Sequence, residues 1–181
     1  MWERIQVGAM PDVLASDKLD VLISKLADQI AGNGSVLAPL AVVGIRSRGD
    51  VLAKRLIRML ESRGVKVSNQ GVLDITLYRD DLDQVGGQAR VRATEINFDI
   101  SDYVVLLVDD VLFTGRTIRA ALDALIDLGR PKAIKLGVLV DRGGRELPIQ
   151  PDFVGLKLEQ PDRHVQVKFT ETDGEDKIIL K

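Results

Sequence analysis

The chain has 181 residues, 45% of them hydrophobic, 29% charged and 4% aromatic, with a formal net charge of −2. The absence of cysteine excludes a disulfide framework and any Cys-ligated metal, and the single histidine excludes a multi-His zinc site and argues against a His-based triad. No overall basic field advertises nucleic acid, no apolar run approaches the roughly 18 residues of a membrane span, and Met1-Trp-Glu-Arg-Ile is not a signal peptide, so one cytoplasmic domain over residues 1–181 is expected.

In chain order, Ser16 reads as the N-cap of a first helix with Leu19, Leu22, Ile23, Leu26 and Ile30 at helical spacing, stopped by Gly32-Asn33-Gly34. Leu40 to Ile45 reads as a buried strand that ends in the polar loop Gly44-Ile-Arg-Ser-Arg-Gly49. The next helix turns Val51, Leu52, Leu56, Met59 and Leu60 inward and closes at Gly64. Gly71 to Tyr78 is predicted as a further strand, with Val72, Leu73, Ile75 and Leu77 as its apolar residues. The polar stretch from Arg79 to about Thr94 has almost no apolar anchors, and a segment of that kind inside a domain is usually a lid or active-site loop. Tyr103–Val108 is a central strand, and its following helix ends at Gly129 and Pro131. Ala133–Val140 is a buried strand broken by Gly137, and Asp141-Arg-Gly-Gly-Arg-Glu146 is a third polar loop at a strand end. Phe153 to Leu156 is a short strand. Val165, Val167 and Phe169 alternate with polar residues, and Asp173-Gly174 leads to Ile178–Leu180, a hairpin signal. His164 reads as a surface strand residue and Trp2 as either packing or disordered. Alternating strands and helices give an α/β chain with a mostly parallel sheet.

The segment richest in chemistry is Tyr103-Val-Val-Leu-Leu-Val-Asp-Asp-Val-Leu-Phe-Thr-Gly-Arg-Thr117. A buried strand ends in Asp109 and Asp110, a Thr/Gly/Arg loop follows, and a helix begins behind it. Open α/β sheets bind ligands at such strand ends. Free N–H groups and the positive dipole end of the helix suit a phosphate, and paired carboxylates suit sugar hydroxyls. The combination fits a phosphorylated sugar; taken alone, the same residues also fit an N-cap pair opening an ordinary helix.

Val105 to Thr117 resembles the phosphoribosyl-pyrophosphate (PRPP) signature of the type I phosphoribosyltransferases, and Gly44-Ile-Arg-Ser-Arg-Gly49 resembles their pyrophosphate loop. Asp74-Ile-Thr-Leu-Tyr-Arg-Asp-Asp-Leu82, Leu128-Gly-Arg-Pro131 and Leu139-Val-Asp-Arg-Gly-Gly-Arg-Glu-Leu-Pro148 resemble one subfamily, the PyrR pyrimidine attenuator and uracil phosphoribosyltransferases. The resemblance runs from Val13 to the C-terminus. It implies the type I fold: a mostly parallel sheet flanked by helices, a flexible active-site loop and a small hood. It also implies conversion of uracil and PRPP to UMP and pyrophosphate. In that resemblance Asp109 and Asp110 bind the ribose hydroxyls and stabilise the cation-like sugar, and Val111 joins them in binding substrate. Thr114, Gly115, Arg116 and Thr117 hold the 5′-phosphate through backbone N–H groups and hydroxyls. Arg46, Ser47, Arg48 and Gly49 wrap the pyrophosphate, beside a non-proline cis peptide. Arg79, Asp80 and Asp81 open the loop that covers the reacting centre, Arg79 acting in catalysis. Asp141 and Arg142 begin the base pocket, and Phe153-Val154-Gly155 belongs to its hood. Mg²⁺ comes mostly through PRPP and water, with no direct protein ligand expected. Purine relatives place an Asp before the Thr-Gly, where this chain has Phe113, which favours a pyrimidine.

The same resemblance implies leader-RNA binding controlled by uridine nucleotides, and a homodimer or homotetramer. Here the first helix carries Lys18 and Lys25 but also Asp17, Asp20 and Asp28, with Val21 where an Arg is expected. Gly144 stands where the subfamily usually has His, and Arg145 is kept. Phosphate neutralisation dominates RNA affinity, so weak, absent or differently arranged RNA binding is expected. The other readings are an RNA-binding regulator with little turnover, or a phosphoribosyltransferase for another base.

Overall fold

In the computed structural model, which describes residues 13–14, 16–34, 39–80, 93–158 and 160–181, the most apolar runs of the chain become the middle of a parallel sheet. The elements are β1 (Val13–Leu14), α1 (Ser16–Ala31), β2 (Leu40–Ile45), α2 (Gly49–Ser62), β3 (Val67–Leu73), β4 (Val104–Leu112), α3 (Arg116–Leu128), β5 (Ala133–Asp141), β6 (Phe153–Lys157), β7 (Val165–Lys168) and β8 (Lys177–Leu180). The five-stranded sheet has the order β3-β2-β4-β5-β6, with every pairing parallel.

A parallel sheet is covered on both faces, so its central strands need apolar residues at every position. In β4, Leu106 and Val108 pack with α1 and α2 on one face, while Val105 and Leu107 pack with α3 on the other. On α2, Val51, Leu52, Leu56 and Leu60 are buried, at the spacing that puts them on one stripe. On α3 the stripe is Ile118, Ala121, Ala124 and Leu125. The predicted C-terminal hairpin is present: β7 and β8 pair antiparallel, with Val165, Val167, Ile178 and Leu180 buried. β1 joins the other side of β8, making a separate three-stranded sheet of order β1-β8-β7. A single helical turn, Thr170–Asp173, lies between β7 and β8.

Four elements depart from the sequence reading. The strand predicted at Gly71–Tyr78 lies at Val67–Leu73, and Thr76–Tyr78 is a 3-10 turn that leaves Leu77 67% exposed. The cause is Asp74, whose carboxylate accepts bonds from the backbone N–H and hydroxyl of Thr76 and so turns the chain. The central strand continues past Val108 through Asp109 and Asp110 to Leu112. Gly137 does not break β5: it pairs with Val108 on one side and Phe153 on the other. Phe153-Val154-Gly155 is part of β6 in the large sheet, not of a separate hood. Trp2, Asp81 with the rest of residues 81–92, and the Ser16 side chain lie outside the described residues. Among the described residues, no helix is long and apolar enough to cross a membrane.

Candidate active site

Parallel pairing brings the carboxyl ends of β2, β4 and β5 to one rim. Gly44 stands opposite Val108, and Leu112 opposite Asp141, so the loops that follow these strands are neighbours. The contact between the first two is close. A Cβ at Gly49 would lie 2.7 Å from the Val108 carbonyl oxygen and 3.1 Å from Asp109 Oδ1, so only glycine lets the start of α2 approach the acidic pair this nearly.

Asp109 is buried and Asp110 half-buried. Asp109 Oδ1 accepts a bond from the Asp110 N–H (3.0 Å), and Asp110 Oδ1 accepts one from the Val111 N–H (3.0 Å). Burial pushes the Asp109 carboxyl well above its usual range, and the neighbouring Asp110 charge pushes it further. Burial raises Asp110 to about 6, against the opposing pull of the Arg48 charge. Two carboxyls held this way are only partly offset by the Arg48 charge, and their environment becomes favourable once hydroxyl donors or a cation arrive.

After Leu112 the chain turns through Phe113 and Thr114 to Gly115, whose φ of 93° caps α3. The Thr114 hydroxyl accepts the Arg116 N–H, and Thr117 is exposed at the helix start. The Arg116 side chain is engaged by two carboxylates. It pairs with Asp80 (2.6 Å) and Glu146 (2.7 Å), tying the start of the long polar stretch to the loop after β5. The phosphate-binding capacity of this turn therefore rests on its backbone N–H groups and threonine hydroxyls.

The pyrophosphate-type loop carries a cis peptide between Arg46 and Ser47, as the resemblance implies. Both its arginines have acidic partners. Arg46 Nη2 donates to Glu95 (2.9 Å). Arg48 grips Asp173 with two bonds, Nε to Oδ2 (3.2 Å) and Nη2 to Oδ1 (2.8 Å). This pair holds the Asp173 carboxyl far below its usual range and raises the Arg48 guanidinium.

At the third loop, Arg142 lays its guanidinium 3.8 Å from the centroid of the Phe113 ring. Arg142 Nη2 also donates to the Pro161 carbonyl. Phe113 is boxed from another direction by Gly144, where a Cβ would stand 2.4 Å from Cε2 of the ring. A cavity of about 360 Å³ opens beside Asp141, Gly143, Lys157 and Pro161. Val154 is less available than the sequence reading assumed: its N–H and carbonyl both bond to the Gln29 side-chain amide of α1. Arg79 is exposed at the end of the 3-10 turn.

Two residues have roles that the sequence reading missed. Arg145 donates to Asp141 Oδ1 (2.7 Å), the Phe113 carbonyl (2.8 Å) and the Ile149 carbonyl (2.9 Å), so it ties the second rim loop to the third. Asp173 is the partner of Arg48. The one available signal for Arg145 was its spacing of four residues from Asp141; for Asp173 nothing local pointed to a residue more than a hundred positions away.

A family model described as the phosphoribosyl transferase domain matches residues 12–172. The Bifunctional protein PyrR of Deinococcus radiodurans is 51% identical over 170 residues, covering 93% of this chain and 92% of that protein. The Bifunctional protein PyrR of Thermus aquaticus is 52% identical over 157 residues, covering 86% and 87%. Among solved structures, a Trypanosoma cruzi hypoxanthine phosphoribosyltransferase in complex with the product IMP superposes with a TM-score of 0.67 at 22% identity. It covers 92% of this chain and 91% of that one, a likeness of fold.

Proposed function

The chain belongs to the phosphoribosyltransferase family and, within it, to the PyrR proteins; on that premise we propose that it converts uracil and PRPP to UMP and pyrophosphate, as a single phosphoribosyltransferase domain. The observation that carries this reading is the acidic pair at the end of β4, pressed against Gly49 of the pyrophosphate-type loop and followed at once by the capped start of α3. One rim then offers a place for sugar hydroxyls, one for a leaving pyrophosphate and one for a 5′-phosphate.

Asp109 and Asp110 accept the ribose hydroxyls, and their charge stabilises the cation-like sugar as the C1–oxygen bond breaks. Thr114, Gly115 and Thr117 hold the 5′-phosphate. Ser47, Gly49 and the two arginines receive the leaving group, with Arg48 the nearer to the acidic pair. Positioning supplies most of the acceleration, since the nucleophile is the base itself. The hard oxygen donors of the acidic pair would suit a divalent cation entering with the substrate, and Mg²⁺ carried by PRPP and water would supply charge neutralisation to the pyrophosphate. Arg79 and Asp80 stand at the entry to the covering loop. Phe113 offers no acid or base for a purine N7, and its ring with Arg142 forms an apolar and cationic wall suited to a pyrimidine.

The test is UMP formation from uracil and PRPP, with and without Mg²⁺, with hypoxanthine, guanine and orotate as competitors. Activity confined to uracil supports the reading; preference for a purine overturns the role given to Phe113, and turnover with no base overturns the enzyme.

The second reading, an RNA-binding regulator, loses support at one residue. Arg145 is turned inward onto Asp141 and two carbonyls, its side chain 13% exposed, so it is not a free cation for phosphate. The solvent face of α1 carries Asp17, Asp20 and Asp28 beside Lys18 and Lys25, with Val21 65% exposed. We infer weak or absent leader-RNA binding. A gel shift with pyr leader RNA and UMP at moderate salt tests this, and tight specific binding would refute it. A homodimer or homotetramer in the cytoplasm belongs to the same reading, and light scattering reads the mass.

A further inference from the structure

We propose that Asp173, in the helical turn of the C-terminal hairpin, is a positioning residue of the pyrophosphate loop. It anchors one edge of the Arg48 guanidinium so that the other edge is presented to the leaving group. This inference rests on the transferase reading given above and adds to it a residue from a segment outside the three rim loops.

A guanidinium has two edges that can each grip an anion with parallel N–H groups: the side edge of Nε and one terminal nitrogen, and the end edge of the two terminal nitrogens. Asp173 takes the side edge. Its Oδ2 accepts Nε at 3.2 Å and its Oδ1 accepts Nη2 at 2.8 Å. Among the described residues Nη1 has no hydrogen-bond partner, so the end edge is open to a second anion. The anchor is itself held: Asp173 Oδ2 also accepts the Phe169 N–H (3.1 Å) and the Thr172 hydroxyl (2.8 Å). A carboxylate held by two donors of its own segment cannot follow the arginine as it moves, so the arginine is fixed instead. The Arg48 side chain is 29% exposed and the Asp173 side chain 15%, so screening by water is incomplete.

The hairpin segment that carries Asp173 is docked on α2 by a second arginine. Arg55 bonds to both Glu171 and Asp176 and lies 5.1 Å from the centre of the Phe169 ring. Arg48 precedes α2 and Arg55 follows seven residues later, two helical turns on, so both reach the same segment from one side of the helix. The second contact sits away from the rim and holds the segment; the first ends in the site, beside Asp110. A long flexible side chain gains affinity for an incoming anion when its rotamer is set beforehand, and that is the service Asp173 renders.

The experiment is a double-mutant cycle on the full chain. Inorganic pyrophosphate and PRPP binding are measured by calorimetry with Mg²⁺ for wild type, Arg48→Ala, Asp173→Asn and the double variant, with thermal melts of each. Asp173→Asn is expected to weaken pyrophosphate on the order of tenfold, and to have no further effect once Arg48 is Ala. If Asp173→Asn does not fold, Arg48→Lys reads the same link from the other side. A lysine cannot grip two anions along two edges and is expected to lose as much affinity as Arg48→Ala. The inference is overturned if wild type binds and Asp173→Asn binds equally well, if its loss persists undiminished in the Arg48→Ala background, or if Arg48→Lys keeps wild-type affinity. Failure of wild type to bind either ligand would instead remove the transferase reading on which it rests.

Discussion

Neutralising Asp110 should make the empty protein more stable at neutral pH. Its carboxyl is raised from 3.8 to about 6, chiefly by burial. A group raised on folding contributes stability that is complete below its unfolded value and is lost as pH rises through its folded value. Each tenfold change in proton affinity is worth about 1.4 kcal/mol, so ionising Asp110 in the folded chain costs about 3 kcal/mol between pH 4 and pH 6.5. For a chain of this size that corresponds to roughly 6–12 °C in Tm. Asp110→Asn keeps the acceptor for the Val111 N–H and removes the charge. The assay is a series of thermal melts from pH 4 to pH 8 without ligand. Carboxylates paired elsewhere, such as Asp173, add a slope of the opposite sign, but they are common to both proteins and cancel in the comparison. The variant should match wild type near pH 4 and exceed it by about 3 kcal/mol at pH 7, while losing UMP formation. Parallel melting curves across this range would refute the argument that the acidic pair is held at a cost in the empty site.

Arg55→Ala leaves Asp176, 16% exposed, without its main cation and removes the contact over Phe169; a loss of about 3 kcal/mol is expected in urea melts, with faster hydrogen exchange at Ile178 and Leu180. Gly144→Ala places a Cβ 2.4 Å from the Phe113 ring at a residue whose φ is 74°, and should destabilise by about 2 kcal/mol. Adding Phe113→Leu should recover only part of that loss, because the backbone conformation is unchanged; full recovery in a thermal melt would show that the clash alone was responsible.

The legible parts of this chain were those where one segment carries its own reason. β2, β4 and β5 lie under helices on both faces, so their runs are apolar throughout and announce themselves. The acidic doublet and the Thr-Gly turn are contiguous, and their order along the chain is their order along the rim. β3 was misplaced because it is an edge strand that exposes the polar Ser68 and Gln70 and turns the polar Asn69 onto the Tyr103 hydroxyl, while Asp74 bends away an apolar stretch that reads like its continuation. Gly137 reads as a break in isolation but is tolerated because its neighbours on both strands hold it extended. The pairs Arg48 with Asp173, Arg145 with Phe113 and Gln29 with Val154 join residues far apart in sequence, and only the folded chain brings them together.

The middle position of β8 in its small sheet sets an order of assembly. Val13–Leu14 pairs with Ile178–Ile179, and β7 pairs with the opposite edge of the same strand. During synthesis both flanking strands leave the ribosome before the strand that joins them, so neither has its backbone partner until β8 has emerged. Deleting Lys177–Leu180 would accordingly open two seams at once, and would also unseat the turn from which Asp173 reaches Arg48.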